Sequence, residues 1–256
     1  MRRLRRYRRL ARIASVLLAG LALASAIELG RRLGLQTSMA RKQHLTCWFL
    51  ARLARALPLR VRIIGERPRA PMLWVANHIS WSDIPLLGAL LPISFLAKAE
   101  VRQWPVLGWL AQQAGTLFIR RGAGDAGRVS RELAGHLHQG RHLLIFPEGT
   151  STDGSTLRTF HSRLFACAVE SSCPVQPVAI RYRRDGQADP LAPFIGDDEL
   201  PAHLLRLLDA EVAEVEIYLL PPIASHDRSP RELARQAQQA IALRLFGDTP
   251  QLQRAA

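Results

Sequence analysis

From residue 58 onward the chain repeats one pattern: a short apolar run, a turn, a stretch of helical periodicity, then another apolar run. Candidate strands are Val61–Ile64, Met72–Ala76, Ile93–Ala97, Thr116–Ile119, His142–Phe146, Val175–Tyr182 and Val215–Leu220. Candidate helices are Ile84–Leu90, Trp104–Ala114, Ala126–His138, Leu157–Ser171, Pro201–Leu207 and Pro230–Leu245. Several apolar runs show little alternation, as expected of strands covered on both faces. Strands interleaved with helices predict an α/β fold: a single domain with a mixed, mostly parallel sheet flanked by helices. No internal repeat or low-complexity linker interrupts it, and Pro190 to Pro201 reads as a loop excursion. The chain divides into an arm over 1–57 and a catalytic domain over 58–256.

The arm is strongly basic. Residues 2 to 12 hold seven arginines, and Ile13 to Ile27 then run fifteen residues without a charge. Crossing a bilayer as a helix takes about 20 apolar residues. Three readings compete: a cleaved signal peptide ending near Ala24-Ser25-Ala26, a single signal-anchor, or a helix that dips into one leaflet. Arg31, Arg32, Arg41 and Lys42 make both flanks basic, which favours the last and holds both ends in the cytoplasm. Read as a helix, the next segment places Leu45, Phe49, Leu53 and Leu57 on one stripe. Arg41, Trp48, Arg52 and Arg55 fall beside it, as on an interfacial helix. The whole chain carries a formal charge of +14, which points to an anionic partner such as a membrane surface with anionic lipids. Three cysteines without CxxC spacing argue against a disulfide scaffold or a zinc site.

Two segments carry the chemistry. Asn77-His78-Ile79-Ser80-Trp81-Ser82-Asp83 follows one candidate strand, and Phe146-Pro147-Glu148-Gly149-Thr150 follows another about seventy residues later. A histidine and an aspartate five apart just past a strand end can form a general base and its orienter. The Glu-Gly-Thr turn offers a carboxylate, a glycine-permitted backbone approach and a hydroxyl. Without a GxSxG segment, a serine acyl-enzyme is disfavoured, and direct attack by a bound hydroxyl is simpler. The plainer alternative has Asp83 capping the helix that starts at Ile84.

These residues resemble the glycerolipid acyltransferase family, in which 1-acylglycerol-3-phosphate acyltransferases are the best known. Asn77-His78 through Asp83 matches the family's first block. Ala97-Lys98-Ala99-Glu100 through Pro105, Gly108 and Gly115-Thr116-Leu117-Phe118-Ile119-Arg120-Arg121 is similar to the second. Phe146 to Thr150 matches the third, and Pro174-Val175-Gln176-Pro177-Val178-Ala179 is similar to the fourth. The resemblance implies that His78 is the base and Asp83 its orienter. It also implies that Glu148, Gly149 and Thr150 hold the acceptor's polar end, and that Arg121, Lys98 and Arg120 lie near its phosphate. It implies a membrane-bound O-acyltransferase that moves an acyl chain from acyl-CoA or acyl carrier protein to lysophosphatidic acid, giving phosphatidic acid. No metal and no resident cofactor are implied. The thioester places the catalytic domain on the cytoplasmic side of the inner membrane.

The pattern departs from the family at two positions. Ser151 stands where an arginine usually follows Glu-Gly-Thr, and Phe160-His161 replaces a Phe-Lys pair. A phosphate dianion prefers bidentate guanidinium contacts, so their loss opens a second acceptor, unless Arg158 or Arg163 compensates. Phe160-His161-Ser162-Arg163-Leu164-Phe165 and Phe194-Ile195-Gly196-Asp197-Asp198-Glu199-Leu200 resemble a bacterial branch that acylates lyso-ornithine lipid, whose head is zwitterionic. The acidic Asp197-Asp198-Glu199 run suits an amine or, more plainly, starts a helix. Two other functions fit less well. The basic arm leads straight into an apolar run, with no nucleic-acid module. His136, His138 and His142 have a spacing that does not converge on a metal.

Overall fold

The computed structural model describes residues 2–119, 126–247 and 252–253. Helices α1 (Arg2–Arg32) and α2 (Met39–Ala56) precede β1 (Leu59–Ile64) and β2 (Leu73–Ala76). Next come α3 (Asp83–Gly88), β3 (Ile93–Lys98), α4 (Leu107–Gln113), β4 (Leu117–Ile119), α5 (Ala126–His138) and β5 (His142–Ile145). The chain continues through β6 (Leu157–Arg158), α6 (Ala166–Glu170), β7 (Val175–Arg184) and β8 (Gln187–Ala188). It ends with α7 (Leu200–Asp209), β9 (Ala213–Leu219), α8 (Pro230–Phe246) and β10 (Leu252–Gln253).

The main sheet runs β1-β9-β7-β2-β5-β3-β4, with β8 hairpinned onto β7. Strands β7, β2, β5, β3 and β4 are parallel, and β9 turns the sheet mixed by pairing antiparallel to β7. Each of the seven candidate strands is present, with ends shifted by at most two residues. Their apolar runs alternate between two cores. Leu73, Val75, Leu143 and Ile145 face α5 and α8, while Trp74, Ala76, Leu144 and Val178 face α2 and α3. Burial on both faces is why these runs do not alternate with polar residues.

The topology sets the site. From β2 the chain passes over β5 to reach β3, while from β5 it returns past β2 to reach β7. Connections that leave neighbouring parallel strands in opposite directions open a crevice at their C-terminal ends. The His78 segment follows β2 and the Glu148 segment follows β5, so both line that crevice.

Two expected helices are corrected. Leu157–Ser171 is not one helix. Leu157 and Arg158 form β6, a 3₁₀ turn covers Ser162–Phe165, and only Ala166–Glu170 is α-helical. The His161 N–H, which a helix would direct to the Leu157 carbonyl, donates instead to the Pro147 carbonyl at 2.9 Å, and Leu157 and Arg158 pair with β10. Trp104–Ala114 becomes helical only at Leu107, because Trp104 is extended ahead of Pro105 and Val106 takes a positive φ of 61°.

The arm folds onto the domain. Helix α1 spans 31 residues, taking the basic flanks into one continuous helix, so the fifteen uncharged residues understate its length. At about 46 Å it exceeds a bilayer's hydrocarbon thickness of about 30 Å. By length and composition it is the one described helix able to cross a membrane. Its first turns dock on α7. Arg5 pairs with Glu211 at 2.5 Å, Arg6 with Asp209 at 3.2 Å, and Arg9 donates to the Leu208 and Ala210 carbonyls at 2.7 Å each. Cations on the last carbonyls of a helix complement its dipole, so part of the basic arm serves the fold rather than an anionic partner. The α2 stripe also differs from the expected interfacial face. Leu53 and Leu57 pack with Ile13 of α1, and Phe49 abuts Gly20, where an added Cβ would lie 2.4 Å from the ring. On the other side of α2, Leu50 and Ala54 enter the core beneath α3.

Candidate active site

Asn77 ends β2 by extending its ladder with a side chain. Its amide donates to the Ile180 carbonyl at 3.0 Å and accepts from the Ile180 N–H at 2.7 Å. The backbone leaves the sheet there, and His78 is gripped at both of its polar groups. Its N–H donates to Glu148 Oε1 at 2.9 Å, and its carbonyl accepts the Thr152 N–H at 2.9 Å. The ring lies flat on Phe146, with centroids 4.0 Å apart and 17° between planes.

His78 Nδ1 sits 2.8 Å from Asp83 Oδ2. The partner is a carboxylate, so Nδ1 carries the proton and the basic lone pair lies on Nε2. The His78 side chain is 19% exposed while Asp83 is fully buried. The imidazole therefore meets the crevice and the carboxylate does not. Asp83 Oδ2 also accepts the Ile79 and Ser80 N–H groups at 2.8 and 3.0 Å, and Oδ1 accepts the Tyr182 hydroxyl at 2.6 Å. Helix α3 begins at Asp83 itself, with Ser82 at its cap position. The carboxylate thus binds the loop behind it instead of capping the helix.

Glu148 is buried. Oε1 accepts from His78 and Oε2 from the Arg158 N–H, each at 2.9 Å. Burial pushes its carboxyl up to about 7, against the pull of those two backbone donors. The sequence reading has this side chain reaching toward an acceptor; here both oxygens hold backbone. Gly149 takes a φ of 74°, the left-handed turn that brings the chain back over the crevice. Thr150 is exposed on that turn. Ser151 donates its hydroxyl to the Phe194 carbonyl, and the Phe194 N–H donates to the Ile79 carbonyl at 2.9 Å. Ser151, where the sequence resemblance expects an arginine, ties the turn to the 194 loop.

Lys98 is exposed at the C-terminal end of β3, on the same sheet edge as His78. Arg120 and Arg121 lie outside the described residues. Arg158 and Arg163 are exposed. Asp198 is paired with Arg206 at 2.7 and 2.8 Å, ahead of the first turn of α7. Among the described residues, no three His, Cys, Asp or Glu side chains are grouped so as to hold a metal ion. Tyr182 and Thr152 were missed, since nothing in their spacing from His78 links strand β7 or the 148–152 segment to it.

A histidine held by a buried carboxylate at a sheet's carboxyl edge can activate a hydroxyl. A family model described as "Acyltransferase" matches residues 58–181. The chain is an acyltransferase. It is 59% identical to the lyso-ornithine lipid O-acyltransferase of Pseudomonas aeruginosa over 96% of both chains. It is 33% identical to the 1-acyl-sn-glycerol-3-phosphate acyltransferase of Neisseria gonorrhoeae, over 63% of this chain and 65% of that one. The crystal structure of the 1-acyl-sn-glycerophosphate acyltransferase PlsC from Thermotoga maritima superposes with a TM-score of 0.68 at 21% identity, covering 96% of each chain, and shares the fold. The chain belongs to the lysolipid acyltransferase family, which unites the lysophosphatidic acid and lyso-ornithine lipid enzymes.

Proposed function

We propose that the protein is a lyso-ornithine lipid O-acyltransferase, acylating the free hydroxyl of that lipid to give ornithine lipid. The observation that carries this is the 59% identity, over nearly the whole of both chains, to an enzyme of that name. The site supports it. Ser151, which replaces the expected arginine, is spent on the Phe194 carbonyl, and His161 replaces the expected lysine on an exposed turn. A head group lacking a phosphate needs neither cation. This favours the second acceptor of the sequence reading over lysophosphatidic acid.

In the reaction, His78 Nε2 takes the proton of the acceptor hydroxyl as its oxygen attacks the thioester carbonyl. The new C–O bond forms, the C–S bond breaks, and the proton passes from Nε2 to the departing thiol. Asp83 steadies the imidazolium that exists between these steps. Glu148 acts through the backbone: it sets where His78 leaves β2. The donor is an acyl thioester of coenzyme A or of acyl carrier protein. Holding two substrates in one crevice can lower the barrier by up to about 7–11 kcal/mol.

The protein associates with the inner membrane from its cytoplasmic side, through the α1–α2 hairpin. Leu18, Leu29, Leu33 and Leu35 are each more than half exposed on it or on the turn that follows α1. Because α1 docks on α7 at one end and packs along α2, we infer that it dips into one leaflet. Offering the purified enzyme one acyl thioester with lyso-ornithine lipid or with lysophosphatidic acid, in parallel, tests the assignment. Ornithine lipid is the expected major product; phosphatidic acid formed at a greater kcat/KM would reverse the order of the two acceptors.

A further inference from the structure

Tyr182 stands on β7, about a hundred residues from the histidine loop, and its ring is buried in the core between the sheet and α3. A core phenol can satisfy its hydroxyl on any free carbonyl. This one instead donates to Asp83 Oδ1 at 2.6 Å, the carboxylate oxygen that His78 does not use. Behind it, Ser82 Oγ lies 2.8 Å from the Tyr182 oxygen. The phenol proton is committed to the carboxylate, so Ser82 donates to Tyr182. A directed chain results: Ser82 to Tyr182, Tyr182 to Asp83, and His78 to Asp83 from the other side.

The oxygens of Asp83 are loaded unequally. Oδ2 accepts His78, Ile79 and Ser80, whereas among the described residues Tyr182 alone donates to Oδ1. Without Tyr182, Oδ1 would be a buried, unpartnered charge, and the carboxylate could rotate to exchange its oxygens. We propose that Tyr182 is a positioning residue for proton transfer: its hydroxyl fixes the Asp83 carboxylate and, through it, the orientation and basicity of His78. This rests on His78 and Asp83 being the base and its orienter. A donor on Oδ1 draws charge away from Oδ2, so removing it leaves more negative charge facing the imidazole. The other ionisable groups facing this chain are Glu148, which bonds the His78 backbone, and Asp189 near Tyr182. Asp189 is held by the Arg184 fork at 3.0 Å through both oxygens, so its charge is balanced.

The test measures kcat, acceptor KM and their pH dependence for the wild type, Tyr182→Phe, His78→Ala, and a form carrying 3-fluorotyrosine at position 182. In Tyr182→Phe, kcat falls about tenfold, as for loss of one hydrogen bond to a charged group, while acceptor KM stays within about twofold. The acid limb of kcat/KM moves to higher pH, because the imidazole holds its proton more tightly. Fluorotyrosine, a stronger donor in an intact fold, moves the same limb to lower pH, and it decides the matter should the Phe variant fail to fold. A limb that stays in place in both forms, or an unchanged kcat in Tyr182→Phe, overturns the role. Full activity in His78→Ala would instead overturn the base assignment beneath it.

Discussion

Asn77 and Ile180 exchange two hydrogen bonds, side chain to backbone, at 3.0 and 2.7 Å. Where β2 ends, the Asn77 amide takes the place of one more rung between β2 and β7. The next residue is His78, so this rung fixes where the histidine leaves the sheet. Asn77→Ala leaves the N–H and carbonyl of Ile180 buried without partners, and each orphan costs about 1–3 kcal/mol. A loss of roughly 3 kcal/mol in denaturant stability is expected, with a lower kcat. An unchanged unfolding midpoint would show that water replaces the rung.

His78→Ala removes the proposed base and leaves the loop bonds made by its backbone in place. Activity should fall by about 10²–10⁴-fold, with thermal unfolding close to that of the wild type. Asp83→Asn behaves differently. The buried amide must turn its NH₂ toward at least one of the donors that now meet a carboxylate. Both turnover and stability should fall, the latter by roughly 3 kcal/mol; calorimetry beside steady-state kinetics separates the two.

Glu148 makes stability depend on pH in a defined direction. Its carboxyl is raised from 4.5 to about 7, so below pH 4.5 it is protonated in both folded and unfolded chains. Between about 4.5 and 7 the folded state binds more protons than the unfolded one. Its contribution is therefore fully present below pH 4.5 and is lost as pH rises through about 7. Glu148→Gln should flatten that slope in urea unfolding measured from pH 4.5 to 7.5. Because an amide can accept only one of the two backbone N–H groups, the same variant should lower kcat about tenfold or more. A KM effect alone would return Glu148 to a direct acceptor-binding role.

Ser151→Arg places a guanidinium where the sequence resemblance expects one. It also breaks the bond to the Phe194 carbonyl. The ratio of kcat/KM for lysophosphatidic acid over lyso-ornithine lipid should rise about tenfold, as expected for one charge-assisted contact to phosphate. A falling ratio would mean that residue 151 does not face the head group.

Deleting residues 1 to 57 should yield aggregated protein, because Leu50 and Ala54 line the core beneath Leu86 and Leu87. The sharper test of membrane binding replaces Leu18, Leu29, Leu33 and Leu35 with serine. All four are exposed, so the fold is kept while sedimentation with anionic vesicles drops. Undiminished sedimentation would place the contact elsewhere.

The sheet was legible because its strands are buried on both faces. Val75 and Trp74 point to opposite cores, so Met72 to Ala76 had to be apolar throughout, and such runs are visible in one dimension. The helix expected over Leu157–Ser171 was not legible. The His161 N–H that would enter it is claimed by the Pro147 carbonyl, earlier in the chain but brought there by a turn at Gly149. The α2 stripe misled for a related reason: an apolar face is written the same way whether lipid or another helix covers it, and here α1 does.

By itself, the sequence determined the strands and brought His78 and Asp83 within reach of each other, since periodicity and a five-residue spacing are local properties. The tertiary structure alone decided what surrounds them. Tyr182 reaches Asp83, Thr152 reaches the His78 carbonyl and Glu148 reaches the His78 N–H across 70 residues or more. Contacts of that separation arise from the order in which parallel strands pair, which no local pattern encodes.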